Sequence, residues 1–132
     1  QWIEKHLKEI SERQMSNKIL SEEERLKGVQ KALCVIPERV EYFAEMMNVT
    51  YGRITIREQK TRWGSCSSKG NLNFNWKLVL MPEEVLDYVV VHELAHRKEM
   101  NHSERFWNHV EKVLPDYQAR RKLLRELEHR HL

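Results

Sequence analysis

Only two cysteines, Cys34 and Cys66, occur in the 132 residues. Two cannot build a disulfide framework, and they do not form a CxxC pair. A reducing, cytoplasmic compartment is therefore the expectation. Long apolar runs are also missing. Nothing approaches the ~18 consecutive apolar residues that a membrane span needs, and the run Val89-Val90-Val91 ends at once in His92-Glu93. No membrane association is expected. The opening Gln1-Trp2-Ile3-Glu4-Lys5 is charged and amphipathic, unlike a secretory signal, and Gln1 is not an initiator Met. Charge of one sign is scarce too: 23 Lys and Arg mix with 20 Asp and Glu for a formal net charge of +3. That balance permits a nucleic-acid partner without arguing for one. With no repeat, low-complexity stretch or linker, residues 1–132 read as a single domain.

What is present is a change of period along the chain. Trp2, Ile3, Leu7 and Ile10 fall at helical spacing. Ser21 with Glu24 reads as a capping box opening a second helix, with Leu26, Val29, Ala32 and Leu33 as its stripe. A third helix is expected from near Pro37, carrying Val40, Phe43, Ala44 and Met47. From Tyr51 to Arg57 apolar and polar residues alternate, as in a half-buried strand. A second strand is expected around Thr61-Arg62-Trp63, then a turn over Gly64 to Gly70. Leu72, Phe74 and Trp76, alternating with Asn71, Asn73 and Asn75, read as a third. Pro82-Glu83-Glu84 opens a long helix expected to run to about Met100-Asn101. Ser103 can cap another bearing Phe106, Trp107, Val110 and Val113, and Asp116 a last, charged one. The fold class is α+β: a small antiparallel sheet packed on a long helix, with flanking helices.

That long helix carries His92-Glu93-Leu94-Ala95-His96. Residues i and i+4 share a helix face, so two imidazoles can point at one ion while Glu93 reaches a metal-bound water. A catalytic zinc takes three protein ligands and a water, which a carboxylate can deprotonate for attack on a carbonyl. His102, six residues beyond His96, is the leading third ligand, with Asn101 able to turn the chain. Glu104 and Glu111 are rivals for the place. The spacing matches the metzincin motif, but Glu99 stands where that motif has glycine.

The segment Lys60-Thr61-Arg62-Trp63-Gly64-Ser65-Cys66-Ser67, with Asn75, His92 to His96, Asn101-His102-Ser103 and Phe106-Trp107, resembles the YgjP-like (DUF45) metallopeptidase family. That family is related to the WLM and SprT-like groups and to the minigluzincins, and the likeness spans about residues 53 to 125. It implies a zincin fold, metal-dependent hydrolysis, zinc held by His92, His96 and His102, and Glu93 as general base. Family members usually carry a β-rich segment before these helices, and this chain is expected to lack it.

The remaining clusters have two readings each. The turn at Gly64, with Trp63 in the core, either only bends the chain or brings Arg62 to the zinc as a substrate or transition-state contact. The Asn71-Asn73-Asn75 face could align a peptide along a free strand edge. Arg120, Arg121, Lys122 and Arg125 read as a solvated basic face, Phe106 and Trp107 as core, and Cys66 as a turn cysteine rather than a nucleophile. The functional reading is a zinc-dependent, peptidase-type hydrolase acting on a peptide or small molecule. Two alternatives share the site: a phosphate-anhydride hydrolase with Arg62 or Lys60 holding phosphate, and a non-catalytic domain stapled by zinc for nucleic-acid or protein binding.

Overall fold

The computed structural model describes residues 2–131, and side chains from residue 22 to residue 128. A single long helix, α1 (Trp2–Met47), opens the chain. Three strands follow, β1 (Ile54–Arg57), β2 (Gly64–Cys66) and β3 (Leu72–Asn75), then a short 3₁₀ helix over Trp76–Leu80. Three helices complete it: α2 (Glu83–Ala95), α3 (Glu104–Val113) and α4 (Tyr117–His131). The α+β class and the helix carrying the HExxH residues are as expected. No helix among the described residues is long and apolar enough to cross a membrane.

The expected break of the N-terminal region into three helices is overturned. Ser21 and Pro37 both lie inside α1. An interior proline removes one backbone hydrogen bond and costs about 3 kcal/mol. Against that stands a buried row at helical spacing, Ala32, Ile36, Val40, Phe43, Ala44 and Met47, which a broken helix could not align. Leu26 and Leu33, expected in the stripe, are instead 60% and 57% exposed. The side chains of Trp2, Ile3, Leu7 and Ile10 lie outside the described residues. Asn48, with φ 56°, ends α1, a left-handed stop that asparagine tolerates.

Three strands form one sheet, but it is mixed rather than antiparallel. The order is β1-β3-β2, with β1 parallel to β3 and β2 antiparallel to it. The most buried strand takes the centre: Leu72, Phe74 and Asn75 of β3 are at most 1% exposed, whereas β1 and β2 are half-buried at best. The second strand lies three residues later than expected, so the link to β3 shortens to residues 67–71, closed by Gly70 at φ 89°. Trp76 leaves the sheet and begins the 3₁₀ helix.

Helix α2 is the axis of the molecule, packed between α1, α3, α4 and β2. Ten of its thirteen residues are buried, including Val85, Val89, Val90 and Leu94. Arg39 of α1 clasps Asp87 of α2 with two bonds, Nε to Oδ1 at 2.8 Å and an Nη2 to Oδ2 at 2.9 Å. Ser103 caps α3 as expected, its hydroxyl accepting from the Phe106 N–H at 3.4 Å.

Candidate metal centre and active site

His92 and His96 occupy one face of α2 at its C-terminal end. The helix stops at Ala95, five residues short of its expected end. Lys98 and Glu99 both donate backbone N–H to the Ala95 carbonyl, and the Glu99 carbonyl turns back to accept from His96 Nδ1 at 3.2 Å. A continuing helix would aim that carbonyl away. The stop needs no left-handed Asn101, because Asn48 is the one non-glycine residue with positive φ among those described. The chain then swings His102 back towards the helix.

The ligand atoms of His92, His96 and His102 all lie within 4.8 Å of one another. Among the described residues this is the single cluster of three or more His, Cys, Asp or Glu able to hold a metal ion, and neither Glu104 nor Glu111 belongs to it. The donors fit zinc. Bonds of about 2.0–2.1 Å in a tetrahedron place nitrogens ~3.4 Å apart, within small rotations of this arrangement. The tautomers suit it as well. A carbonyl can only accept, so His96 Nδ1 carries the hydrogen and Nε2 keeps its lone pair. His92 Nδ1 donates likewise to Glu93 Oε2 at 3.1 Å. His102 is exposed, yet partial desolvation, and then the neighbouring His92 and His96, hold it below the usual histidine range, which favours the neutral ring a metal requires.

Around the donors stand aromatic rings. Phe106 is fully buried, with its centroid 5.1, 4.6 and 4.9 Å from those of His92, His96 and His102. Trp107, expected in the core, is only half-buried. It stacks on His102 at 6.0 Å and on Tyr117 at 5.4 Å. His109 is half-buried and outside the cluster.

Glu93 is 5% exposed and faces β2. A Cβ at Gly64 would come within 3.1 Å of Glu93 Cγ and 3.2 Å of the Asn73 carbonyl. Gly64 thus lies in extended backbone rather than at a bend, and its bare Cα admits the carboxylate. Cys66, also in β2, has its thiol pushed up by burial and by Glu93, the opposite of an activated nucleophile.

Beside Glu93 opens a hollow of about 240 Å³ whose walls include Arg62, Trp63, Tyr88, His92 and Arg121. Asn75 sets the Arg62 wall. Its buried amide donates to the carbonyls of Gln59 (2.8 Å) and Arg62 (3.2 Å) and accepts from the Lys77 N–H (3.1 Å). Lys60 does not line the hollow. Tyr88, one turn before His92, escaped the sequence reading, although its i, i+4 spacing could have marked it. Burial pushes its hydroxyl up to about 12, so it stays protonated. The basic residues of α4 divide: Arg121 and Arg125 line the hollow rather than solvent alone, while Arg120 is tied to Asp116 at 2.9 Å and to the Glu84 carbonyl at 3.0 Å. The strand edge is corrected too. β3 is paired on both sides, so Asn71 to Asn75 offer no free edge, and among the described strands β2 is the edge nearest Glu93.

A triple-histidine centre on and just after an HExxH helix, backed by a small sheet, defines the class of zincin-like metallohydrolases. Residues 28–127 match the YgjP-like metallopeptidase domain family, and the chain belongs to it. It is therefore a metal-dependent hydrolase of metallopeptidase type, with zinc as its metal. Two solved structures are similar: the zymogens of the metallopeptidases abylysin, from Pyrococcus abyssi, and jannalysin, from Methanocaldococcus jannaschii. The first is 25% identical with a TM-score of 0.63, over 71% of this chain and 96% of abylysin. The second is 26% identical with a TM-score of 0.60, over 70% of this chain and 96% of jannalysin. No curated protein matches significantly.

Proposed function

We propose that the chain works as a single metallopeptidase unit in which His92, His96 and His102 hold zinc and Glu93 is the general base. The observation that carries this is the convergence of one ligand atom from each of three imidazoles within 4.8 Å, beside one buried carboxylate. Bound there, zinc supplies a Lewis acid that brings the ionisation of a water near neutral pH. The protein's own groups do the rest. Glu93, oriented by the His92 Nδ1–H, accepts the proton of the attacking water and can return it to the leaving amine. Arg62 and the protonated Tyr88 hydroxyl line the hollow where a polarised carbonyl oxygen would gather charge. The outer edge of β2 is the nearest rail for an extended peptide, which would add to it through backbone hydrogen bonds.

Metal analysis of single variants tests the ligand set. Wild type should carry about one zinc per chain, the count of one three-ligand site. His92→Ala, His96→Ala and His102→Ala should each lose it, and Glu111→Ala should keep it. Full occupancy in His102→Ala with loss in Glu111→Ala would give the third place to the glutamate.

A further inference from the structure

Four arginines among the described residues are half-buried: Arg39, Arg97, Arg120 and Arg121. Three are anchored to oxygen acceptors. Arg39 grips both Asp87 oxygens, Arg97 donates to the Thr50 carbonyl at 2.8 Å, and Arg120 binds Asp116 and the Glu84 carbonyl. Arg121 has no such acceptor among the described residues. Its guanidinium lies over the Trp107 indole, 4.9 Å from the ring centroid. Trp107 itself stacks against both His102 and Tyr117. A guanidinium laid on an aromatic face is held flat while its in-plane N–H donors stay available, the geometry that matches a carboxylate in two places.

Position gives this donor a use. Arg121 forms part of the wall between two hollows. One contains His92 and Glu93; the other, of about 390 Å³, is bordered by Tyr117 and Lys122. Arg125, one turn further along α4, borders both as well, and Arg62 faces the first from the β2 side. None of these three arginines is in an ion pair among the described residues. Glu128 also lines the first hollow and accepts the Trp63 indole N–H at 3.3 Å.

The geometry points to a carboxylate-binding subsite beside the metal ligands: Arg121, with Arg125 and Arg62, holds a carboxylate of the peptide substrate next to the bond presented to Glu93. That carboxylate is an Asp or Glu side chain or a free C-terminus. This inference rests on the peptidase reading and names its substrate class. The two acidic walls, Glu93 and Glu128, favour a singly charged carboxylate over a polyphosphate, because their repulsion scales with ligand charge.

The test is direct binding to the zinc-loaded Glu93→Gln variant, which needs no turnover. The probes are short fluorescein-labelled alanine-based peptides that carry Glu or Gln at one internal position, each as free acid and as C-terminal amide. The carboxylate-bearing peptide should bind ~10-fold or more tightly than its amide counterpart, a step of about 1.4 kcal/mol. The internal and terminal pairs show which carboxylate is recognised. Adding Arg121→Gln should bring the ratio close to one, and Arg121→Lys, which loses the two-point grip, should restore it only in part. Should Arg121→Gln melt early, Arg125→Gln gives the same comparison on an exposed position. Equal binding of acid and amide peptides overturns the subsite, as does strong competition by ATP with no carboxylate preference. Selective binding without cleavage by the wild type would keep the subsite and sink the peptidase reading instead.

Discussion

The rings of Phe106 and His96 lie 4.6 Å apart, centroid to centroid, with planes inclined by 31°. The same fully buried phenyl ring touches the neighbourhood of His92 and His102, so one side chain of α3 seats all three imidazoles. An apolar seat fixes ring orientation without competing for the nitrogen lone pairs. Phe106 is thus both core and the seat of the candidate metal site, and the Ser103 cap sets its register.

Phe106→Ala should lose ~3–5 kcal/mol of stability, the usual cost of truncating a buried phenylalanine. Phe106→Leu keeps most of the volume and should fold, yet bind zinc ~10-fold or more weakly, as when other supporting groups around a metal are lost. Competition with a chromophoric chelator reads the affinity. A leucine variant that binds zinc as tightly as the wild type would remove the seat from the account.

Gly64→Ala addresses the approach of β2 to α2. The new methyl would lie 3.1 Å from Glu93 Cγ, with backbone at 3.2 Å on its other side, so the carboxylate must yield. Zinc content should hold while hydrolysis falls by at least ~10-fold, the usual penalty for a small misplacement of a catalytic group being up to about 10². Full activity would mean that Glu93 tolerates displacement, and its proposed role would weaken.

The Arg39–Asp87 clasp joins α1 to α2. Asp87 is 8% exposed, and Arg39→Ala would leave its carboxylate buried without a partner. A loss of ~1.5–3 kcal/mol is expected, as for hydrogen bonds to charged groups. The double variant Arg39→Met with Asp87→Leu should regain much of it, since no charge is then stranded. Chemical denaturation of the wild type and the two variants measures this, and a double variant no more stable than Arg39→Ala would assign the loss to packing.

Much of the candidate site was legible because its geometry is local. His92, Glu93 and His96 lie within one helical turn, and Ser103 fits its cap from chemistry that spans three residues. What failed depended on distant partners. Pro37 reads as a helix start until the row from Ala32 to Met47 finds its core. The parallel pairing of β1 with β3 follows from which strand is most buried, a property of the whole sheet. The end of α2 at Ala95 is set by the turned carbonyl of Glu99, and no residue type announces that. Arg121 looked solvated on α4 because the indole beneath it belongs to α3. Gly64 suggested a bend, whereas its bare Cα serves the side chain of Glu93, nearly thirty positions away.

The central claim, a zinc site with Glu93 as its base, is tested most directly by Glu93→Gln. The amide keeps the size of the side chain and removes its ability to take a proton. Zinc content and melting temperature of the purified variant should match the wild type, while cleavage of any peptide the wild type hydrolyses falls by ~10²–10⁴-fold. Undiminished cleavage by a zinc-loaded Glu93→Gln protein would contradict the account.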